Sequence, residues 1–456
     1  MKKMKISFIS LGCDKNLVDS EKMLAMMSDL GYEVIDDISD AEAVVINTCC
    51  FIHDAKQESI NTIIETAGYK KTGRLKYLIV TGCLATRYHD EISEFLPEVD
   101  AILSSSAADE LDTCIKKLAG KGLKNKSIIK DINRDPDLGK KRLHNNLKNY
   151  AYLKIAEGCS KHCTYCVIPS IKGEYRSFPF EDIIAEARDA VKKGKNELIL
   201  IAQETTVYGT DLYGKKRLSE LLYALNEIEG LEWIRLMYCY PEEIDDELIH
   251  AIRDIDKVCK YIDMPIQHIS DGILKKMGRK TTGKDIRTLI RKLRKEIPGI
   301  AIRTSLITGF PGETEEDHEE LLEFIKEYRL DRVGVFTYSK EENTPAARFK
   351  PVVLKKVKEK RRKELMLAQQ QIVFEENKKL YGKVMPAVAE GYLPEEKVYV
   401  FRTYRDAPDI DGCCFVSSDR DIVLGTMINV KINGAAGYDL TADVPKTRRF
   451  INECTK

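Results

Sequence analysis

The chain has 456 residues, of which 43% are hydrophobic and 32% are charged, so about three folded domains are expected. Its 73 Lys and Arg residues balance its 73 Asp and Glu residues, which excludes a protein that binds nucleic acid through a general basic excess. The sequence contains neither a signal-peptide pattern nor an apolar stretch of about eighteen residues. We therefore expect a cytoplasmic protein with no membrane partner, whose clustered cysteines serve metal or redox chemistry rather than disulfides.

Residues 1–119 alternate buried-strand patterns with amphipathic helical patterns, which predicts an N-terminal parallel βαβ domain. Three of the predicted strands end at a cysteine, in KISFISLGC, AVVINTCC and KYLIVTGC, and these residues are Cys13, Cys49 and Cys83. Because the carboxyl ends of parallel strands meet at one edge of a sheet, we expect the three thiols to converge there. The alternative is that they are three independent buried cysteines.

Residues 120–148 have no clear periodicity and contain nine Lys or Arg residues against three Asp residues. We predict a linker between two domains. The charge is interpreted as a solvated run, and the alternative is an electrostatic guide for a negatively charged partner.

Residues 149–350 contain six further strand patterns separated by helical stretches, which predicts a partial (β/α)6 barrel with one open side. Polar residues occur at or near the strand ends, among them Gln203, Arg303 and His268. Parallel α/β barrels keep their active sites at the carboxyl ends of the strands. For His268, contact with a substrate and a packed histidine at a strand end remain equally open.

Residues 351–381 predict a helical linker, and residues 382–446 predict a small β-barrel from their short strand patterns and Gly-rich turns. The predicted fold class is therefore α/β, with a parallel N-terminal domain, a central partial barrel and a small C-terminal β-barrel.

The densest cysteine pattern is EGCSKHCTYC, in which Cys159, Cys163 and Cys166 follow the first predicted barrel strand. A closed zinc site takes four ligands, so three cysteines indicate either a nearby fourth ligand, such as His162, or an open metal site. A cubane iron–sulfur cluster held by three thiolates has one iron without a protein ligand, and that iron can bind a substrate.

This motif, with Tyr165 before its last cysteine and a six-unit partial barrel around it, resembles the radical S-adenosylmethionine superfamily. The resemblance implies that Cys159, Cys163 and Cys166 bind a [4Fe-4S] cluster whose open iron chelates S-adenosylmethionine. It also implies reductive cleavage of this cofactor to a 5′-deoxyadenosyl radical. Tyr165, Gln203 and Arg303 would contact the cofactor, and an electron donor such as a flavodoxin or ferredoxin would be a partner.

Over nearly the whole chain, the motifs LGCDKNLVDSE, NTC, TGC and EGCSKHCTYC and the terminal barrel resemble the methylthiotransferases. The resemblance implies a second [4Fe-4S] cluster on Cys13, Cys49 and Cys83, which carries the sulfur to be inserted, and a terminal barrel of the TRAM type. Cys50 departs from the family pattern, which usually has glycine there, and we assign Cys49 as the ligand. The resemblance leaves the sulfur donor and any catalytic acid or base unassigned.

The segments DMPIQHIS and RTYRDAPDIDG resemble the branch that modifies the β-carbon of an aspartate in ribosomal small-subunit protein twelve, either free or on the ribosome. The alternatives are a branch that modifies an adenosine in transfer RNA, and a non-catalytic iron–sulfur or zinc scaffold protein. Residues 382–446 contain seven Lys or Arg and ten Asp or Glu residues, a balance that favours a basic protein over RNA as partner. Asp409 and Asp411 are expected to contact that protein.

Overall fold

The N-terminal domain is built on a six-stranded parallel sheet in the order β2-β1-β3-β4-β5-β6. The computed structural model describes residues 3–120, 122–144 and 148–445. In this domain the elements are β1 Lys5–Ser10, α1 Asp14–Asp29, β2 Glu33–Val34, β3 Ala43–Thr48, α2 His53–Thr72, β4 Tyr77–Gly82, α3 Cys83–Arg87, α4 His89–Phe95, β5 Ala101–Leu103, α5 Leu111–Ala119 and β6 Ser127–Ile128, with 3-10 turns at Ile38–Asp40 and Ser105–Glu110. Strand β3 is buried along its whole length, as its continuous apolar run predicts for a sheet covered on both faces.

The segment predicted to be a linker contributes β6, which pairs with β5 at the edge of this sheet. Arg142 from the same segment pairs with the buried carboxylate of Glu21 on α1. Residue 121 and residues 145–147 of this segment lie outside the described residues.

The central domain contains six parallel strands in two sheets of three, ordered β11-β10-β7 and β12-β13-β14. Its elements are β7 Tyr150–Lys154, β8 Ala156–Glu157, α6 Ile168–Lys172, β9 Arg176–Ser177, α7 Phe180–Lys192, β10 Glu197–Ile201, α8 Thr210–Tyr213, α9 Leu218–Asn226, β11 Trp233–Leu236, α10 Asp246–Asp254, β12 Tyr261–Asp263, α11 Asp271–Lys276, α12 Gly283–Glu296, β13 Ala301–Thr308, α13 Glu315–Tyr328 and β14 Arg332–Thr337, with 3-10 turns at Pro241–Glu243 and Pro345–Arg348. An isolated bridge between Ile234 and Val258 joins the two sheets. Because β7 and β14 do not pair within the described residues, the barrel stays open on one side.

A long helix leads from the barrel to a closed five-stranded β-barrel, ordered β15-β16-β17-β19-β18. These elements are α14 Lys355–Lys378, β15 Val384–Leu393, β16 Val398–Thr403, β17 Cys414–Ser417, β18 Met427–Ala436 and β19 Asp439–Asp443. The α/β class and the closed terminal barrel agree with the prediction, although residue 446, the predicted end of this barrel, lies outside the described residues. In the described part of the chain, no helix combines the length and apolarity needed to cross a membrane.

The C-terminal barrel is anchored to the central barrel through a buried carboxylate between two guanidinium groups. Glu197, the first residue of β10, accepts hydrogen bonds from Arg235 of β11 and from Arg402 of β16. Burial opposes ionisation of Glu197, but the charges of Arg402 and Arg235 lower its pKa overall. A charge triad of this kind is costly to disrupt because removal of one member leaves the others uncompensated.

The acidic residues that were expected to meet a basic partner instead bind the protein's own central domain. Asp409 accepts hydrogen bonds from Lys148 and from the hydroxyl group of Tyr150. Asp411 accepts a hydrogen bond from the Tyr261 hydroxyl group. Asp411 is 3% exposed, so the expectation that it contacts the ribosomal protein is wrong, whereas Asp409 is 61% exposed and its contact stays a prediction. This loop docks against residues at the beginnings of the barrel strands.

His268 is a packed histidine at the end of the β12 region, with no solvent-exposed surface. The backbone N–H of Ser270 donates to its Nδ1 atom, so the proton of the neutral ring is on Nε2, 4.0 Å from a carboxylate oxygen of Glu313. Burial lowers the pKa of His268 to about 3, with Asp317 opposing and Arg361 adding to the decrease. Of the two roles left open by the sequence, the structure supports the packed histidine.

We predict that Glu197→Gln lowers the free energy of unfolding by about 3 kcal/mol, because it leaves buried Arg235 without a counter-charge and leaves Arg402 with Glu390 alone. Denaturant titration of the cluster-free protein measures this change. The control is Glu220→Gln, which removes a carboxylate from exposed ion pairs and should cost less than about 1 kcal/mol. Equal effects of the two substitutions would contradict the proposed anchoring role.

We predict that the stability advantage of the wild type over His268→Asn shrinks as the pH falls from 7 to 4.5. The folded-state pKa lies below the ordinary value of 6.5, so the stability present at neutral pH is lost as the unfolded chain takes up a proton that the folded protein does not bind. The slope approaches about 1.4 kcal/mol per pH unit well below pH 6.5.

Urea titrations of both proteins at several pH values test this prediction, with His250→Asn as the control because His250 is exposed. A wild-type advantage that does not vary with pH would show that His268 binds a proton as readily in the folded protein as in the unfolded chain.

Candidate functional site

The three cysteines of the C-x3-C-x2-C motif lie in the loop between β8 and α6, beyond the carboxyl end of the first barrel strand. Gly158 opens this loop with a φ of +78°, and a Cβ atom there would lie 2.0 Å from the carbonyl oxygen of Glu174. Glycine is therefore required for both conformational and steric reasons. Cys159 and Cys163 are buried, and Cys166 is partly buried.

The thiols of this loop are close enough to influence one another's ionisation. Burial raises the pKa of Cys159 to about 11, and the neighbouring Cys163 contributes to the rise. Burial likewise raises the pKa of Cys166 to about 12, with contributions from Cys163 and Cys159. Metals bind the thiolate form of cysteine, so a metal that binds at this loop has to displace the thiol protons.

The cysteine loop supplies three thiols, one fewer than the four ligands of a closed zinc site. Zinc–thiolate bonds of about 2.3 Å in a tetrahedral site place the sulfur atoms within about 4 Å of one another. No three His, Cys, Asp or Glu side chains of the described residues form a group that could hold one metal ion. The His162 side chain is 61% exposed, beside Glu174. In a cubane each of the three thiolates binds a different iron, which leaves the fourth iron without a protein ligand.

The N-terminal cysteines follow three neighbouring strands of their sheet. Cys13 precedes α1 after β1, Cys49 follows β3, and Cys83 is the first residue of α3 after β4. The chain approaches closely here, since a Cβ atom at Gly12 would lie 2.7 Å from the Cys49 sulfur. Burial raises the pKa of Cys83 well above its usual value, with further contributions from Cys13 and Cys49. The structure therefore brings these thiols to the same sheet edge.

The adjacent residues Cys49 and Cys50 have different surroundings. Burial raises the pKa of Cys49, and the Cys13 thiol adds to the rise. Cys50 packs in the hydrophobic core of the N-terminal domain, where burial raises its pKa to about 11 and Arg87 partly offsets the rise. Cys49 is thus influenced by Cys13 and Cys50 by Arg87, while both contribute to the raised pKa of Cys83, which packs in the same core as Cys50.

Three buried charged side chains and the partly buried Asp19 connect the two cysteine sets, and we call Asp19, Lys154, Glu157 and Lys172 the interdomain charge group. The Lys154 ammonium group lies 2.5 Å from Asp19 and 2.6 Å from Glu157. Lys172 lies 3.5 Å from the same two carboxylates. Burial would lower the pKa of Lys172, but these carboxylates, together with the N-terminal thiols of Cys83 and Cys13, raise it overall.

Gln203 and Glu204, at the end of the second barrel strand, present unused oxygen atoms to this region. Gln203 donates its amide to Glu157, and its amide oxygen has no partner among the residues that the structure describes. Burial raises the pKa of Glu204 to about 7. One Glu204 oxygen accepts from Thr206, and the other accepts no hydrogen bond and lies 3.9 Å from the Lys161 ammonium group.

Tyr165 and Arg303, the other two residues expected to contact a cofactor, lie in different surroundings. Tyr165 packs against the apolar group around Phe310 and Met277. Arg303 is the third residue of β13, and its guanidinium group binds Asp263 at 2.6 Å and lies 3.5 Å from Asp411. Arg303 is therefore held between the end of β12 and the loop of the C-terminal barrel.

A cavity of about 550 Å³ lies between the N-terminal domain, the segment around residues 134–141 and helix α7. Its wall includes all four members of the interdomain charge group. The segment predicted as a linker thus encloses space next to the candidate site.

Sequence reasoning missed Glu157, Lys172 and Lys154. Glu157 directly precedes the cysteine loop, so its position at a strand end was a usable signal. Lys154 lies within a strand and Lys172 ends a short helix, where lysine is ordinarily solvated, so nothing in the sequence distinguished them.

Family models match all three domains. Residues 5–104 match an uncharacterized protein family, UPF0004, residues 153–325 match the radical SAM superfamily, and residues 382–444 match the TRAM domain. The fold resembles that of TsrM, a radical S-adenosylmethionine methyltransferase from Kitasatospora setae, with a TM-score of 0.56 and 14% identity over 76% of this chain and 74% of that one. At this identity the likeness concerns the fold alone.

Curated relatives are similar over the full length. The protein named ribosomal protein uS12 methylthiotransferase RimO from Lachnoclostridium phytofermentans is 56% identical over 96% of this chain and 99% of its own length. Proteins of the same name are 49% identical in Acetivibrio thermocellus, over all of both chains, and 48% identical in Clostridioides difficile, over 97% of this chain and 99% of that one. With this identity, and with all three domains matched in order, the chain belongs to the ribosomal protein uS12 methylthiotransferase family of the radical SAM superfamily.

Proposed function

We propose that this protein transfers a methylthio group to the β-carbon of an aspartate in ribosomal protein uS12, on the free protein or on the ribosome. The observation that carries the proposal is the full-length identity to relatives with this name, up to 56%. The two cysteine sets on either side of the interdomain charge group support it. An aspartate β-carbon has no acidity that a side-chain base could use at neutral pH, which makes radical chemistry the suitable route.

Membership of the radical SAM superfamily implies a [4Fe-4S] cluster and S-adenosylmethionine. We assign Cys159, Cys163 and Cys166 as the ligands of this cluster. We further propose a second [4Fe-4S] cluster on Cys13, Cys49 and Cys83, supported by their common sheet edge. When bound, these groups would supply the adenosyl radical and the sulfur to be inserted.

Glu204 and Gln203 are suited to hold the amino group of S-adenosylmethionine. Each has a buried oxygen without a hydrogen-bond partner among the described residues. An unsatisfied buried acceptor costs about 1–3 kcal/mol, and a bound ammonium group would recover this energy. Tyr165, inside the cysteine motif, would flank the cofactor. Arg303 is held by its ion pair with Asp263, and it would contact the cofactor from that position.

Lys172 is suited to stabilise a negatively charged centre at the N-terminal site. Its ammonium charge favours the ionised form of Cys83, against the effect of burial. Lys172 belongs to the central domain, whereas Cys83 belongs to the N-terminal domain. The ionisation of the N-terminal thiols therefore depends on the relative position of the two domains.

Recognition of the basic uS12 protein is assigned to acidic residues of the C-terminal barrel that the docking loop does not use. Glu395, Glu396, Asp419 and Asp421 are exposed, and Val423 and Leu424 beside them are exposed apolar residues. Apolar contacts with acidic residues around them suit a basic protein surface. A protein of the flavodoxin or ferredoxin class would donate electrons.

We predict a methylthio mass gain on uS12 when the reconstituted protein, reductant, S-adenosylmethionine and a sulfide source are incubated with small ribosomal subunits. Mass spectrometry of the digested subunit measures the gain and locates it. Unmodified transfer RNA, incubated in parallel, serves as the control substrate. Gain on transfer RNA alone would assign the protein to nucleoside modification, and absence of 5′-deoxyadenosine would favour a scaffold protein.

We predict that Cys49→Ala removes about half of the reconstituted iron, whereas Cys50→Ala retains it, if each cysteine set binds four irons. The physical reason is that Cys49 is associated with Cys13, and Cys50 packs in the core. Iron analysis and cofactor cleavage are measured on both variants. Cys49→Ala should still form 5′-deoxyadenosine without a methylthio product. Loss of the iron in Cys50→Ala alone would reverse the ligand assignment.

A further inference from the structure

The loop that carries Cys159, Cys163 and Cys166 is attached to two surface segments through one residue, Thr164. The Thr164 N–H donates to the carbonyl oxygen of Met277, and its hydroxyl group donates to that of Lys276, at 2.9 and 2.7 Å. The Ala346 N–H donates to the Thr164 carbonyl oxygen at 2.9 Å. Hydrogen bonds thus connect the cysteine loop directly to the segments around residues 276 and 346.

The same two segments meet again at Gly312. Lys276 donates to the Gly312 carbonyl oxygen, and the Gly312 N–H donates to that of Pro351. Residues 275–280 and 346–356 therefore form parts of one continuous surface on the outside of the cysteine loop.

This surface is basic, with an apolar centre, and we call it the Lys350 face. Its basic members are Lys275, Lys280, Arg348, Lys350 and Lys356, all exposed and without an ion pair in the described part of the chain. Its apolar members are Val352, which is 55% exposed, and Leu354, which is 72% exposed. Carboxylates of neighbouring segments are engaged elsewhere, since Asp271 accepts from the Gly283 N–H and Glu315 pairs with Arg361.

Unpaired cations around exposed apolar residues are features of a docking site rather than of an ordinary solvated surface. Apolar contacts at the centre of an interface supply affinity, and charges at its rim steer the partner and select its sign. Small interfaces of this kind are typical of transient complexes between redox proteins.

We infer that the Lys350 face docks an acidic one-electron carrier protein that delivers electrons to the cluster site beneath it. The inference rests on the proposed function, because that chemistry needs one electron for each cofactor cleavage. In the transfer the reduced carrier loses one electron and the cluster gains it, with no bond made or broken. Ribosomal RNA would also be attracted by these charges, but contact with RNA gives no reason for the face to be bonded to the cysteine loop.

The test is a triple charge reversal, Lys275→Glu with Arg348→Glu and Lys350→Glu, which leaves every proposed ligand and cofactor contact in place. The matched control reverses Lys192, Lys295 and Lys326, three exposed lysines near the carboxyl ends of α7, α12 and α13. These helix ends lead into the beginnings of barrel strands, on the opposite side from the cysteine loop. Both triple variants change the net charge by the same amount.

The first readout is binding of a purified acidic flavodoxin to the cluster-free protein at low salt. The Lys350-face variant should bind at least about tenfold more weakly than the wild type, because three attractive charges become repulsive. The control should bind like the wild type, and salt should weaken wild-type binding. Equal affinities of all three proteins would overturn the inference.

The second readout compares 5′-deoxyadenosine formation by the reconstituted enzyme with reduced flavodoxin and with dithionite. The Lys350-face variant should lose the flavodoxin-driven reaction and keep the dithionite-driven one, which needs no docking. If the wild type forms no 5′-deoxyadenosine even with dithionite, the proposed function is wrong. The binding of flavodoxin to the cluster-free protein still tests the Lys350 face in that case. If the variant keeps the flavodoxin-driven reaction but loses methylthiolation of ribosome-bound uS12 alone, the face binds RNA and the inference is wrong.

Discussion

The interdomain charge group is the interaction on which the arrangement of the site depends. Asp19 comes from the N-terminal domain, and Lys154, Glu157 and Lys172 come from the central domain. Burial of charges is unfavourable unless each is compensated, so two domains that share such a group are held in one relative position. The two cysteine sets lie on either side of this group, and the distance between them is therefore set by ion pairs between rigid elements rather than by a flexible loop.

The second junction, at the beginnings of the barrel strands, limits what the C-terminal barrel is free to contact. Arg402, Asp406, Asp409 and Asp411 all bind the central domain. The segment RTYRDAPDIDG, which resembles the protein-modifying branch, therefore joins the C-terminal barrel to the central domain in this chain. The exposed hairpins of the same barrel carry acidic side chains that remain in contact with water.

Periodicity and strand-end positions predicted the parallel N-terminal sheet, the six barrel strands and the approach of Cys13, Cys49 and Cys83, because these features follow from the geometry of parallel sheets. Contacts between domains were not predictable in this way. Asp409 and Asp411 have the same sequence appearance whether they face solvent or Tyr150 and Tyr261. Strand β6 has two residues, which are too few to show the alternation of apolar and polar residues that indicates a strand.

The position of Arg402 in the chain has a consequence for biosynthesis. Glu197 and Arg235 are synthesised long before Arg402, which belongs to the last domain of a chain of 456 residues. The central barrel therefore completes its buried charge triad only when translation is nearly finished. Nascent chains and premature termination products retain the pair of Glu197 with Arg235 but lack the ion pair with Arg402, and with it the anchor between the two barrels.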